Sequence, residues 1–100
     1  MLTISKTVEN GKAILASEGR LDTVTAPELE NVVKALLPEI TELTFDFGKL
    51  EYLSSAGLRV LLFAQKAMNA QEKKMSVVNV NETVMDIFEV TGFSDILNIA

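Results

Sequence analysis

The run from Leu43 to Val80 constrains the fold more than any other part of the chain. Leu43, Phe45 and Phe47 alternate with Glu42, Thr44 and Asp46. That two-residue period belongs to a strand with one dry face and one wet face. From Ala56 to Gln71 the period becomes helical: Val60, Phe63, Ala64, Ala67 and Met68 share one broad face, widened by Leu61 and Leu62. Met75 to Val80 then reads as another short apolar strand. Strand, long helix and strand form a crossover unit, so the two strands should run parallel. A strand that is polar on one side implies helices packed on the other.

The remaining elements follow the same logic. Leu2 to Val8 alternates as a strand, with Lys6 interrupting its apolar set. Asn10-Gly11 is a hairpin-turn dipeptide, and Lys12 to Ser17 supplies the antiparallel partner. Gly19-Arg20-Leu21-Asp22 reads as a turn. Thr25-Ala26-Pro27-Glu28 has the form of a capping box, opening a helix whose apolar stripe is Leu29, Val32, Val33, Leu36 and Leu37. Pro38 ends that helix, and Gly48-Lys49 begins a loop. Asn81 caps a helix carrying Val84, Met85, Ile87, Phe88 and Val90, which Gly92 ends. Ser94 is placed to cap a last short helix through Leu97. Phe88, Phe93, Ile96 and Leu97 read as core, or as part of a partner surface. The order β-β-α-β-α-β-α-α describes an α/β fold. It has a small mixed sheet, an N-terminal antiparallel hairpin plus parallel strands, with helices packed mainly on one face. Residues 1–100 are expected to form one domain.

Composition narrows the chemistry. The net charge of −5 argues against direct DNA or RNA binding and against an anionic membrane surface. There is no cysteine and no histidine, so thiolate chemistry and the commonest general base are absent. No signal-peptide pattern and no apolar run of membrane-spanning length is present, and a cytoplasmic location is expected. The pairs Gly11-Lys12 and Gly48-Lys49 lack the spacing of a phosphate loop. No cofactor, no metal and no enzymatic activity is therefore expected.

The chemistry that remains lies at Tyr52-Leu53-Ser54-Ser55-Ala56-Gly57-Leu58-Arg59, where strand pattern meets helix pattern. Free backbone N–H groups and the positive end of a helix dipole coincide there. A serine in that place is either an N-cap or a hydroxyl that accepts a phosphate. A phosphate at a helix start meets favourable electrostatics, so modification would change docking rather than unfold the domain. Ala56 and Gly57 are small enough to admit a modifying enzyme, or simply to permit close packing. A nucleophilic role for Ser55 lacks an activating base and a nucleophile-elbow sequence. Asp22 reads as a turn or capping residue, and Asp46 and Glu51 as solvated carboxylates. Arg59, Lys66 and Lys73 recur every seven residues as a solvated stripe.

These motifs resemble those of the STAS domain family. Glu-Gly-Arg-Leu-Asp at Glu18 to Asp22, followed by Thr25-Ala26, resembles one signature. Leu43-Thr44-Phe45-Asp46-Phe47 leading to Tyr52–Leu58 resembles another, and Val90-Thr91-Gly92-Phe93 a third. Stand-alone chains of this kind resemble bacterial anti-sigma factor antagonists. The resemblance implies a module that binds an anti-sigma factor and so frees a sigma factor. The anti-sigma factor is then also a serine kinase that holds the ATP, and a phosphatase reverses the modification. The family phosphosite is the first serine of Asp-Ser-Ser/Thr-Gly-Leu, which falls on Ser55, with Ser54 as the alternative. Ser54 stands where the family has aspartate, and Ala56 where it has the second serine or threonine. The implied partner-binding surface comprises Asp22, Thr23, Thr25, Ser54, Ser55, Ala56, Gly57, Leu58 and Arg59. The competing reading is a non-phosphorylated STAS subunit of a transporter or signalling complex.

Overall fold

A computed structural model covers all 100 residues. Four strands, β1 (Leu2–Glu9), β2 (Lys12–Leu21), β3 (Glu42–Leu53) and β4 (Lys74–Val78), form one sheet in the order β1-β2-β3-β4. β1 and β2 are antiparallel, whereas β2–β3 and β3–β4 are parallel. The crossovers are helices α1 (Ala26–Leu36) and α2 (Ser55–Ala70), and α3 (Glu82–Thr91) follows β4. The mixed sheet and the parallel β3–α2–β4 unit are those that the periodicity predicts.

Local chemistry explains the connections. Asn10 and Gly11 both take positive φ, 52° and 79°, as a two-residue hairpin turn of the favoured hand requires. Pro38 ends α1, and the chain tightens into a 3-10 turn over Leu37–Glu39. The Asn81 side chain accepts from the Val84 N–H and caps α3, while its own amide donates to the Leu50 carbonyl at 2.7 Å. That second bond ties the helix to β3. Gly92 closes α3 in the left-handed conformation.

Leu43, Phe45 and Phe47 of β3 are fully buried, with Ala13 and Leu15 of β2 and Met75 and Val77 of β4. Leu29, Val33, Leu61, Ala64, Met68, Val84 and Phe88 cover them from the helices. The opposite face keeps polar pairs such as Thr44 and Ser76, whose hydroxyls lie 3.4 Å apart. The outer edge of β4 is covered by the C-terminus, where Val77 donates to Asn98 and Ala100 donates to Val77.

Several boundaries differ from the sequence expectations. β2 does not stop at Ser17, and Gly19-Arg20-Leu21 is strand rather than turn. β3 does not yield to a loop at Gly48-Lys49 but continues to Leu53. Register shifts between Ala16 and Glu18 and between Gly19 and Arg20 let β3 absorb one extra residue at each, after which pairing resumes as Arg20↔Tyr52 and Leu21↔Leu53. Gly19 permits this with φ +102°, where a Cβ would strike the Met1 carbonyl. β4 ends at Val78, because Asn79 turns the chain with φ +56°. Phe93–Asp95 is a single 3-10 turn started by Gly92, so Ser94 caps nothing. Val90 is 87% exposed rather than part of the buried stripe, and Ile96 is exposed too. Lys73 lies beyond the end of α2, where its ammonium donates to the Leu37 carbonyl.

Candidate functional site

The lengthened β2 and β3 end side by side, and this builds the site. Leu21 and Leu53 are register partners, so the chain leaves the sheet at Asp22 and at Ser54 from adjacent strands. The Ser54 N–H donates to the Leu21 carbonyl at 2.9 Å and holds the two exits together. Gly57 makes the approach possible. It is buried in the first turn of α2, and a Cβ there would come within 2.7 Å of both Leu21 Cγ and Leu53 Cδ1. Its small size therefore serves packing.

The two serines divide the roles that the sequence left open. Ser54 is the N-cap, with extended backbone (φ −94°, ψ 174°), and its hydroxyl accepts from the Gly57 N–H over a long 3.4 Å. Ser55 is the first residue of α2 and exposed. Of the two hydroxyls, only that of Ser54 is spent on the cap.

The loop beside them is fixed from within. Asp22 Oδ1 accepts from the Val24 N–H at 3.0 Å and from the Thr25 N–H at 3.1 Å. Thr25 Oγ1 accepts from the Asp22 N–H at 2.9 Å and lies 2.8 Å from the Arg20 carbonyl and 3.2 Å from Asp22 Oδ1. A hydroxyl has one proton, and the shorter contact assigns it to Arg20. The capping box expected at Thr25 and Glu28 does not form, because Thr25 already has helical backbone angles and its hydroxyl faces back into the loop. Arg20 stacks over the Tyr52 ring at 4.4 Å, and its Nε lies a loose 3.9 Å from Asp22 Oδ2.

The Thr25 backbone N–H is the main cause holding the Asp22 carboxyl below the usual carboxylate range. Partial desolvation opposes it, while the Val24 N–H acts with it. A carboxyl depressed in the folded state stabilises the fold above its unfolded pKa of about 3.9. That contribution is lost as pH falls through the lower folded value. Urea midpoints measured at pH 5 and pH 3 should therefore fall less for Asp22→Asn than for the parent chain. An equal loss in both would show that Asp22 carries none of the acid sensitivity.

The structure gathers the sequence-predicted residues at one end of the sheet but divides them by exposure. Thr25, Gly57 and Leu58 are buried, Asp22, Ser54 and Ala56 are half-buried, and Thr23, Ser55 and Arg59 are exposed. Val24, 83% exposed at the loop tip, escaped the sequence reading, as did the Arg20–Tyr52 stack. Asp46 is not beside the serines. It sits on the open sheet face, accepts from the Gly48 N–H, and borders a shallow hollow of about 460 Å³ with Glu18, Lys49 and Asn79.

The family model described as STAS domain matches residues 3–100. The chain belongs to the STAS domain family. An anti-sigma-B factor antagonist of Staphylococcus epidermidis is 30% identical over 82 residues, 81% of this chain and 76% of that protein. The Staphylococcus aureus protein of the same name is 29% identical over the same shares. Among solved structures, an anti-sigma factor antagonist from Mycobacterium paratuberculosis superposes with a TM-score of 0.90 at 24% identity, over 99% of this chain and 85% of that one. The antagonist SpoIIAA in its unphosphorylated form gives 0.83 at 17% identity, over 100% and 88%. These likenesses establish the STAS fold described above, in which the Asp22 loop and the start of α2 are neighbours.

Proposed function

We propose that this STAS domain is an anti-sigma factor antagonist, a binding module switched by phosphorylation of Ser55. The observation that carries the reading is the division between the serines. Ser54 is consumed as the helix cap, while the adjacent Ser55 is exposed beside a loop held rigid by Asp22. The names of the Staphylococcus relatives support the same class, and SpoIIAA, of like fold, exists in phosphorylated and unphosphorylated forms.

The docking surface consists of Thr23 and Val24, Ser55 and Arg59, with the exposed parts of Asp22, Ser54 and Ala56. Thr25, Gly57 and Leu58 act from beneath by fixing the loop and the helix start. The partner is a cytoplasmic anti-sigma factor that carries the ATP and serves as serine kinase, and a phosphatase restores the hydroxyl. The transfer moves the γ-phosphoryl group of the partner's ATP to the Ser55 oxygen, releases ADP and gives up the hydroxyl proton. The new dianion then lies in the interface, where repulsion and desolvation oppose docking.

Reconstitution tests this directly. The domain and the kinase-type anti-sigma factors of its own genome are mixed without nucleotide and then with ATP. A complex that forms first and dissolves as Ser55 becomes phosphorylated is the expected result. Phosphorylation on another residue, or no complex with any of them, would overturn the reading in favour of an unmodified subunit role.

A further inference from the structure

We propose that Arg59 is the internal counter-ion of a phosphate on Ser55, so that modification draws the guanidinium back onto its own helix. The switch then has two parts: a dianion appears on the docking surface, and a free cation leaves it. This inference rests on the reading of Ser55 as the phosphorylated residue.

Ser55 and Arg59 are four residues apart in α2, so they lie on one helix face with Cβ atoms about 5–6 Å apart. Both are exposed. The ion pairs of the chain are Lys12–Glu42, Arg20–Asp22 and Lys34–Glu30, and none of them engages Arg59. An anion on the N-terminal side and a cation four residues later is also the favoured orientation on a helix. A guanidinium offers a planar fork of donors that matches two phosphate oxygens at once.

Other candidate holders are less suited. The Gly57 N–H already serves the Ser54 hydroxyl and the Leu58 N–H the Ser54 carbonyl, while the Ser55 and Ala56 N–H groups are neutral donors that add to a charged counter-ion and do not replace it. Arg20 is stacked on Tyr52 and lies beside Asp22. Lys66 is eleven residues along the helix, about 16 Å of rise from Ser55. Lys49 of β3 borders the hollow on the open sheet face, and Asp22 and Glu51 are anionic and repel a phosphate.

The test uses the full chain with phosphoserine installed at position 55 during synthesis, titrated by phosphorus NMR. Arg59→Gln should raise the second pKa of the phosphate by about 0.3 unit, the scale of an exposed i,i+4 pair. Arg59→Lys should restore part of that shift, and Arg20→Gln should leave it unchanged. Identical titration of the parent and Arg59→Gln, or a shift produced by Arg20→Gln instead, would overturn the proposal. The phosphate is placed without a kinase, so this outcome does not depend on whether Ser55 is modified in cells. Failure of the broader reading would appear separately, as a phosphorylated domain that still docks on its anti-sigma factor.

Discussion

Ser55→Asp is expected to bind the kinase-type anti-sigma factor about 30- to 1,000-fold more weakly than the parent chain, whereas Ser55→Ala should bind as well as the parent. The range corresponds to about 2–4 kcal/mol, the scale of a charge forced into a desolvated interface with no partner across it. The exposed Ser55 side chain does not hold the fold together, so its hydroxyl can be removed without disturbing the surface. Aspartate carries one charge where phosphoserine carries about −1.5 to −2, which places it toward the weaker end of the effect. An acidic group in the first turn of a helix is favourable to that helix. Ser55→Asp should therefore melt no lower than the parent, which separates blocked docking from unfolding. Calorimetric titration and a thermal melt read the two quantities independently. Equal affinity of Ser55→Asp and Ser55→Ala would remove the electrostatic basis of the switch.

Gly57→Leu should destabilise the domain by about 3 kcal/mol or more, and Gly57→Ala by about 1–2 kcal/mol. Ordinary helix propensity predicts the reverse, since glycine within a helix is about 1 kcal/mol worse than alanine. Sterics decide the sign. The added Cβ would lie 2.7 Å from Leu21 Cγ and from Leu53 Cδ1, and both leucines are buried at the ends of paired strands. Neither can swing into solvent, so α2 must lift from the sheet. The helix start carries Ser55, and the lift also parts it from the Asp22 loop. Partner binding should thus fall along with the urea midpoint. An alanine variant as stable as the parent would mean that the junction packs more loosely than these distances require.

Much of the architecture is legible in the sequence because it is written in local periodicity. The alternation of Leu43, Phe45 and Phe47 fixes the buried face of β3, and the Asn10-Gly11, Asn81 and Gly92 signals operate where they stand. The strand ends are less legible. Gly19 and Gly48-Lys49 carry the composition of turns, yet the register shifts make them irregularities inside longer strands. That difference is set by pairing between segments about 30 residues apart, which neither segment specifies alone. Thr25 illustrates the same limit. Its spacing to Glu28 fits a capping box, but the Arg20 carbonyl and the Asp22 N–H claim its hydroxyl once the loop has formed. The site residues that the motif supplied do converge. Val24 and the Arg20–Tyr52 stack were hidden because their exposure and contact depend on how β2 and β3 end.

Whether Ser55 is the switch is read by phosphopeptide mass spectrometry of the chain recovered from its own cells across growth conditions. Trypsin releases Leu50 to Arg59, in which Tyr52, Ser54 and Ser55 are the only hydroxyls. A phosphate on Ser55 whose occupancy changes with conditions is the predicted result. A phosphate on Ser54, or none in any condition, would contradict it.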